Sequence, residues 1–281
     1  MFTSLHKRLL TAAALLLTAT GCEKVLDLPL KTSPVNIVIE GNLVDDNRPA
    51  QVRLTTSVNY KQANAYPPVT GAVVTLSDNA GSLEVLRETS PGQYVGATLR
   101  GVPGRVYTLR VETGGAAYVA VSTLPAVVPF EEVHTEPGAF GNDDGLQTVV
   151  QYTDPVGLGN SYLFRQYRNG QLNKTIYLQN DKFNDGKHVD QQLRSGNSGP
   201  GGNAGGPPPA PIDLLISGDS LTVEMQNVDP GVYQYFSTLN RILQENPASS
   251  VTPANPTSNF SGGALGYFSA HSRRVRRIKV P

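Results

Sequence analysis

Short segments that alternate apolar and polar residues, with turn residues between them, are the feature that most constrains the fold of this chain. They begin near Asn36 and recur along much of its length. Alternation with a period of two places the apolar side chains on one face of an extended strand, so each segment predicts a half-buried β-strand. The 28 Gly and 21 Pro residues supply the turns that such a fold needs. The predicted fold is therefore all-β.

Seven of these segments lie between residues 35 and 125 and predict an N-terminal β-sandwich. In the third segment, Ala72, Val74 and Leu76 share one face. A turn at residues 78–81 leads into the fourth segment, because Asn and Gly tolerate the positive φ that a hairpin turn requires. The predicted strands begin near Asn36, Val52, Ala72, Leu83, Tyr94, Val106 and Tyr118.

The N-terminus has the pattern of a bacterial lipoprotein signal. Basic residues at 6–8 precede an apolar run at 9–19, and the small residues Thr20 and Gly21 precede Cys22. Cys22 is the only cysteine in the chain, so it has no disulfide partner and its thiol is available for lipid attachment. We expect a signal peptide at 1–21, lipidation of Cys22 and a tether at 22–34. An ordinary secretory peptide, or a buried apolar strand of a cytosolic protein, is the alternative.

A second β-rich domain is predicted at 128–281. The part of the chain after the signal exceeds the roughly 100–150 residues of a common single domain, and Pro125 and Pro129 interrupt the strand pattern. The Gly/Pro-rich tract 195–211 predicts a flexible insertion, because it has little apolar area to bury. One amphipathic helix is expected near 230–245, where Asp229 can cap the first turn.

The strand motifs carry a resemblance to a known family. Residues 68–76, Pro91-Gly92-Gln93-Tyr94 and residues 103–109 are similar to prealbumin-like domains fused to carboxypeptidases and TonB-dependent receptors. Together with the lipoprotein signal and residues 259–268, they make the mature chain resemble domain-of-unknown-function family 4249, lipoproteins of the Bacteroidetes group. The resemblance implies a prealbumin-like or immunoglobulin-like sandwich and genes that often neighbour TonB-dependent receptors. It implies no catalytic residue.

Gly218-Asp219-Ser220-Leu221 spells the motif of the GDSL hydrolases, in which a histidine activates the serine. Here the four residues lie between two predicted strands of a β protein. The nearest Asp-x-x-His sequence, which ends at His188, precedes Ser220 instead of following it. The motif therefore predicts a hairpin turn, with hydrolase chemistry as the alternative.

Two patterns could indicate a metal site. Asp181, Asn184, Asp185 and Asp190 offer oxygen ligands for calcium, but Phe183 occupies a ligand position, so an exposed hairpin tip is the preferred interpretation. The mature chain also contains three histidines with no two at metal-ligand spacing, so each is expected at the surface or in a turn. No metal or other cofactor is predicted. The three histidines are His134, His188 and His271.

A run of positive charge near the C-terminus comprises Arg273, Arg274, Arg276, Arg277 and Lys279. Alternation within a strand would place some of these side chains on a solvated face, and contact with anionic lipid or an acidic partner is the alternative. The chain as a whole has no net charge, and export would separate it from nucleic acid, so nucleic-acid binding is not expected.

These features favour a non-enzymatic protein of the outer membrane, held there by lipid on Cys22. The expected function is accessory: substrate capture or partner support for a TonB-dependent transporter. An adhesive or structural envelope protein is one alternative, and a GDSL-like hydrolase using Ser220 is another. The ligand and the residues that would bind it are not predicted by the sequence.

Overall fold

A computed structural model describes five stretches of the chain. The predicted signal peptide 1–21, Cys22, nearly all of the tether 22–34 and the insertion 195–211 lie outside the described residues. Val35–Pro281 form one compact unit. The described stretches are residues 34–59, 65–137, 146–193, 215–244 and 254–281.

The first half of this unit contains the seven strands that alternation predicts. Most of them bury every second residue, as in Val106–Thr113, where Tyr107, Leu109 and Val111 are fully buried. The strands are β1 (Ile37–Val44), β2 (Gln51–Thr56), β3 (Val73–Asp78), β4 (Leu83–Ser90), β5 (Gln93–Val95), β6 (Val106–Thr113) and β7 (Ala116–Thr123).

The second half contains eight strands, the single α-helix of the described residues and a 3-10 turn at Asp181–Phe183. The strands are β8 (Phe130–Pro137), β9 (Leu146–Thr153), β10 (Ser161–Arg168), β11 (Gln171–Leu172), β12 (Tyr177–Asn180), β13 (His188–Leu193), β14 (Ser220–Asn227) and β15 (Leu265–Lys279), and the helix is α1 (Pro230–Gln244). The chain is thus mostly β, as predicted.

Two sheets organise these strands. The larger has twelve strands in the order β11-β10-β14-β15-β1-β2-β5-β4-β3-β6-β7, with β12 also paired to β10. The smaller has three strands in the order β13-β9-β8. In this half the sequence predicts strands near residues 146–152, 162–167, 174–178, 212–217 and 221–227, and a polar connection at 181–190. Strands β8, β11 and β13 were not predicted, and β13 begins within that connection.

The last strand joins the two halves. Its first part, Leu265–His271, runs parallel to β1, and its second part, from Ser272 to Lys279, runs antiparallel to β14. The sequence predicts two strands here, one that opens at Gly262-Gly263 and runs through Ser269 and a last one from Arg274 to Val280. That prediction is wrong, because β15 is continuous over 15 residues. Buried apolar residues up to Leu124 belong to one hydrophobic cluster, and those from Val128 onward begin a second one. Strand β15 lies beyond the predicted boundary at 125–128 but contributes Phe268 and Ala270 to the first cluster.

The first cluster is a sandwich core in which β1 and β2 contribute Ile39 and Leu54, and β3 and β6 contribute Leu76 and Leu109. Phe268 of β15 completes it. All five side chains are fully buried, so this core is held together mainly by hydrophobic burial.

Tyrosines of the two Pro-Gly motifs anchor loops to this core. The Tyr107 hydroxyl accepts a hydrogen bond from the Val102 amide at 2.7 Å and donates to the Arg100 carbonyl at 3.0 Å. The Tyr94 hydroxyl accepts a hydrogen bond from the Ala72 amide at 3.0 Å. Each tyrosine therefore buries its aromatic ring while its hydroxyl is hydrogen-bonded to the backbone of a loop.

Gly266 permits the close approach of β15 to β1. Its φ is +95°, and a Cβ atom would lie 2.0 Å from the Ile39 carbonyl oxygen. No side chain fits at that distance, so glycine is required for the parallel pairing of the two strands.

Helix α1 covers the other side of the sheet. Asp229 caps it as predicted, because its Oδ1 accepts a hydrogen bond from the Val232 amide at 2.9 Å. Val232 and Phe236 pack in a small cluster with Leu163 and Tyr267. The predicted apolar stripe does not extend to the helix C-terminus, where Leu243 is 65% exposed.

Candidate functional site

A cleft of about 750 Å³ lies where the three-stranded sheet meets β10, β12 and α1. This volume falls in the range of roughly 300–1,000 Å³ that is common for small-molecule sites. The residues that line it are His134, Glu136, Val149, Gln151, Phe164, Ile176, Tyr177, Leu178, Asp190, Gln191, Gln192, Leu193 and Asn240.

Polar side chains of the small sheet are paired along this cleft. Gln151 Nε2 donates a hydrogen bond to Asp190 Oδ1 at 2.6 Å, and His134 Nε2 lies 3.1 Å from Glu136 Oε1. Both pairs are accessible to solvent, so a ligand can exchange hydrogen bonds with them. The sequence placed Asp190 in a possible calcium loop, whereas the structure places it on β13 beside Gln151.

Two aromatic rings lie beneath the cleft but offer a ligand little surface. Phe164 and Tyr177 are 1% and 8% exposed and belong to the second hydrophobic cluster. The accessible lining of the cleft is mainly polar, so it suits the binding of a polar molecule.

The structure places Ser220 at the start of β14, outside this cleft. Ser220 pairs with Lys279, and its amide donates to Asn169 Oδ1 at 2.8 Å. Asp219 is buried and accepts hydrogen bonds from Arg168 Nε at 2.6 Å and from the Ile216 amide at 2.9 Å. These hydrogen bonds lower the pKa of Asp219 against the opposing effect of burial, which is the largest influence on it. The described hydrogen bonds join Ser220 to no histidine.

The three histidines occupy different environments. His188, on β13, is exposed as expected, and His134 is partly exposed. The surface prediction is wrong for His271, which is 3% exposed and bonded through Nδ1 to Ser269 Oγ at 2.9 Å. Burial lowers the pKa of His271 to about 4, so the ring is neutral at physiological pH.

Two of the five residues of the C-terminal basic run form ion pairs within the protein. Arg273 Nε lies 2.5 Å from Glu224 Oε2, and Arg274 Nη2 lies 2.9 Å from Asp45 Oδ2. Because these two guanidinium groups already have carboxylate partners, they add little to a surface for anionic lipid. Arg276, Arg277 and Lys279 are the exposed members of the run.

Three aspartates converge where two loops meet. One carboxylate oxygen from each of Asp154, Asp181 and Asp185 lies within 4.8 Å of the others. The sequence offers Asp181 and Asp185 as oxygen ligands, but nothing in it connects them with Asp154, which lies 27 residues before Asp181. Only the antiparallel pairing of β9 with β13 brings Asp154 to the loop that contains the other two.

Cys22 lies outside the described residues, and its lipidation stays a prediction. No helix in the described part of the chain combines the length and hydrophobicity needed to span a membrane.

Comparison with protein families gives one match over nearly the whole chain. Residues 23–277 match the model of a domain of unknown function, DUF4249. The chain belongs to the DUF4249 family. Comparison with curated proteins gives no match.

Among solved structures, this DUF4249 protein is similar to the chicken interferon gamma receptor alpha chain. The identity is 7%, and the alignment covers 69% of this chain and 89% of the receptor chain. The TM-score is 0.21, so the likeness carries no argument about fold or function.

Proposed function

We propose that this DUF4249 protein is a non-enzymatic outer-membrane lipoprotein that captures a ligand for a TonB-dependent transporter. The observation that supports capture best is the cleft of about 750 Å³ lined by the Gln151–Asp190 and His134–Glu136 pairs. It offers solvent-accessible hydrogen-bonding groups in a concave surface of the size that is common for ligand sites.

Lipid on Cys22 would make a weak interface with a transporter sufficient. A protein confined to the membrane plane meets integral membrane proteins at a high effective concentration. A contact surface of low intrinsic affinity can therefore hold the two proteins together. The anchor is supported by the signal pattern and by the single cysteine of the chain. Metabolic labelling with a fatty acid tests it: the wild type should take up label and Cys22→Ala should not.

A pull-down after detergent solubilisation tests the accessory function. The wild type should enrich a TonB-dependent receptor, whereas a fusion of the same signal and tether to an unrelated domain should not. Equal recovery by the two proteins would mean that confinement alone explains the association. If neither protein recovers a receptor, the accessory proposal is wrong.

Ligand capture has its own test in the cleft. Asp190→Asn and Gln151→Leu should weaken retention of the ligand that co-purifies with the wild type, because they change the polar pair at its edge. Arg277→Gln, on the exposed part of β15, is a matched control and should leave retention unchanged. Equal retention by all three variants would remove the cleft from the proposal.

An adhesive or structural function is the second candidate, and one observation favours it. The outward face of the sheet formed by β4, β3, β6 and β7 exposes Leu83, Val85 and Val121 by 69%, 63% and 53%. Exposed apolar side chains on a sheet often contact other proteins. Recovery of envelope proteins other than a transporter in the pull-down would favour this function.

The hydrolase alternative depends on Ser220. We expect Ser220→Ala to leave any measured ester cleavage unchanged, because the serine has no histidine bonded to it in the described structure. Loss of a genuine turnover in this variant would restore the enzyme interpretation.

A further inference from the structure

We infer that one end of the large sheet, the end at which β1 begins, contacts the surface of the lipid bilayer. The inference rests on the lipid anchor of the proposed function and adds to it the part of the folded protein that touches the membrane. We call this surface the tether end. Its exposed apolar side chains are Val35, Tyr66, Val156, Leu158 and Phe183.

The strand register places the loops 154–160 and 181–187 at the tether end. Tyr162 of β10 pairs with Asn227 of β14, which pairs with Ser272 of β15. Because both pairings are antiparallel and β15 is parallel to β1, strand β10 runs in the same direction as β1. The loop that precedes β10 therefore lies toward the end at which β1 begins. The loop that follows β12 lies there too, because β12 is antiparallel to β10.

Val35 and Tyr66 lie at the same end. Val35 directly precedes the segment that leads into β1 at Ile37, and it is 61% exposed. Thr56 pairs with Ile37, and its amide donates a hydrogen bond to the Pro67 carbonyl at 2.9 Å, which holds Tyr66 next to these strand ends. Tyr66 is 49% exposed. Tyrosine is enriched where membrane meets water, because its ring is apolar and its hydroxyl is polar.

The two loops carry the most exposed large apolar side chains of the described residues. Val156, Leu158 and Phe183 are 90%, 74% and 76% exposed. Transfer of such side chains from water to an apolar environment is favourable, and grouped exposed apolar side chains mark contact with another protein or with a membrane.

Hydrogen bonds hold the backbones of the two loops together while these side chains remain outside. Asp181 Oδ2 accepts hydrogen bonds from the amides of Gly159 at 2.6 Å and Asn160 at 2.7 Å, and Asp185 Oδ1 accepts one from the Gly157 amide at 2.6 Å. These carboxylates are therefore engaged by the neighbouring loop, and the apolar tips need no rearrangement to enter a membrane interface.

Two exposed lysines flank the apolar tip at Phe183. Lys187 Nζ donates a hydrogen bond to the Phe183 carbonyl at 2.9 Å, and Lys182 Nζ lies 5.4 Å from the centroid of the Phe183 ring. A lysine can place its alkyl stem along an apolar surface while its ammonium group stays in water. Both ammonium groups can thus contact lipid phosphates when the phenylalanine ring enters the interface.

The distribution of these side chains favours a bilayer over a protein partner. A stable protein interface is a continuous surface of about 800 Å² on each partner. At the tether end the apolar side chains instead protrude from two loops and from segments beside strand ends. A fluid bilayer can receive such separate side chains without a matching shape.

The anchor would direct this end toward the membrane. The segment from Cys22 to Val35 spans at most about 45 Å even when it is fully extended. Lipid on Cys22 therefore keeps Val35, and not the opposite end of the sheet, close to the bilayer. Stable attachment commonly combines a lipid with a second membrane contact, and the apolar tips supply that contact.

Single tryptophans test the contact in the mature, lipidated protein. The chain has no tryptophan, so Phe183→Trp introduces one reporter at the tether end. Ile216→Trp is the matched control, because Ile216 is 59% exposed and precedes β14 at the opposite end of the sheet. Each protein is reconstituted into vesicles of phosphatidylethanolamine and phosphatidylglycerol, with or without bromine on the acyl chains near the headgroups. Bromine should quench most of the Phe183→Trp emission and leave the Ile216→Trp emission unchanged.

Flotation of the same vesicles separates this inference from the anchor on which it rests. If the protein does not float with the vesicles, the anchor and the contact are both wrong. If it floats but Phe183→Trp is not quenched, the anchor stands and the tether end is left to a protein partner. Equal quenching of Ile216→Trp would also overturn the contact, because the bilayer would then not distinguish the two ends.

A charge at a loop tip provides a second test. Leu158→Asp, combined with Phe183→Trp, should remove most of the quenching, because a carboxylate enters an apolar environment at high cost. Leu158 is 74% exposed, so its melting temperature in detergent should not change. Ile216→Asp in the same background should retain the quenching. Unchanged quenching in the Leu158→Asp variant would mean that the apolar tips do not enter the bilayer, and the inference would be wrong.

Discussion

The two halves of the protein bury very different side chains. Of the eighteen buried polar or charged residues among the described ranges, sixteen lie after residue 125 and only Thr55 and Ser122 lie before it. All seven buried polar side-chain atoms without a hydrogen-bond partner in those ranges are also in the second half. The first half is therefore a dry hydrophobic sandwich, and the second half contains the polar groups that chemistry or binding requires.

This difference shows where function is to be sought. Burial of apolar area stabilises a fold without specifying a ligand, whereas each buried unpaired polar group costs free energy of unfolding unless an interaction outside the chain compensates it. The cleft and the three-aspartate cluster both lie in the second half. The first half supports them through β15, which belongs to both.

The largest effect is expected at the strand that connects the halves. Gly266→Ala should lower the free energy of unfolding by more than about 3 kcal/mol, because the new Cβ would meet the Ile39 carbonyl oxygen at a strained positive φ. Gly104→Ala is the control: its φ is +83° and no atom lies within 4 Å of the added Cβ. We expect it to cost about 1–2 kcal/mol.

Urea denaturation measures both variants. A single transition that shifts to lower urea would mean that β15 couples the halves, whereas loss of the first half alone would mean that they unfold separately. If Gly266→Ala and Gly104→Ala lower the free energy of unfolding equally, the close approach of β15 to β1 at Gly266 is wrong.

A smaller effect per pH unit is expected from acid, through the buried imidazole of His271 in β15. Burial lowers the pKa of His271 from 6.5 to about 4, so between these values the unfolded chain binds a proton that the folded protein does not. Above pH 6.5 the ring is neutral in both the folded and the unfolded state, so proton binding costs the folded protein nothing. As the pH falls from 6.5 toward 4, the free energy of unfolding should decline by up to about 1.4 kcal/mol per pH unit.

Urea titrations at a series of pH values check this prediction. His271→Gln should flatten the dependence below pH 6.5, and His188→Gln, which changes an exposed histidine, should not. An unchanged slope in His271→Gln would show that carboxylates, and not the buried imidazole, cause the loss.

The smallest effect concerns a single unpaired hydroxyl. Thr148 is 1% exposed and its Oγ1 has no partner in the described structure. Thr148→Val keeps the shape and removes the unpaired group, so the free energy of unfolding should rise by up to about 1 kcal/mol. Thr153→Val, on the same strand, removes a hydroxyl that lies 3.3 Å from His188 Nδ1 and should be neutral or slightly destabilising.

Calorimetry of the two threonine variants would decide this prediction. A loss of stability in Thr148→Val as large as that in Thr153→Val would mean that the buried hydroxyl makes a favourable interaction, and the contrast between the halves would be weaker than the burial pattern indicates.

Much of the first half could be predicted from the sequence, because its strands bury one face against one core. Val74 and Leu76, or Tyr107, Leu109 and Val111, alternate as that arrangement requires. The second half was harder to predict. In β8 the buried residues Phe130 and Val133 are three positions apart, because a bulge between Phe130 and Glu132 breaks the period of two.

The continuity of β15 was missed for a related reason. Residues 266–272 are all buried, so both faces of the strand are covered and no alternation remains. His271 and Ser272 lie in this stretch, and their polarity suggested an interruption between two strands. The three-aspartate cluster was only partly predictable, since Asp181 and Asp185 are close in sequence and Asp154 is not.

The sequence by itself determined the β class, the position of helix α1 with its Asp229 cap, and the local turns, because these depend on interactions between residues a few positions apart. Tertiary structure alone decided which strands pair across the midpoint of the chain, which polar residues are buried, and that Asp154 meets Asp181 and Asp185. Those features depend on contacts between distant segments, and local periodicity contains no information about which distant segments meet.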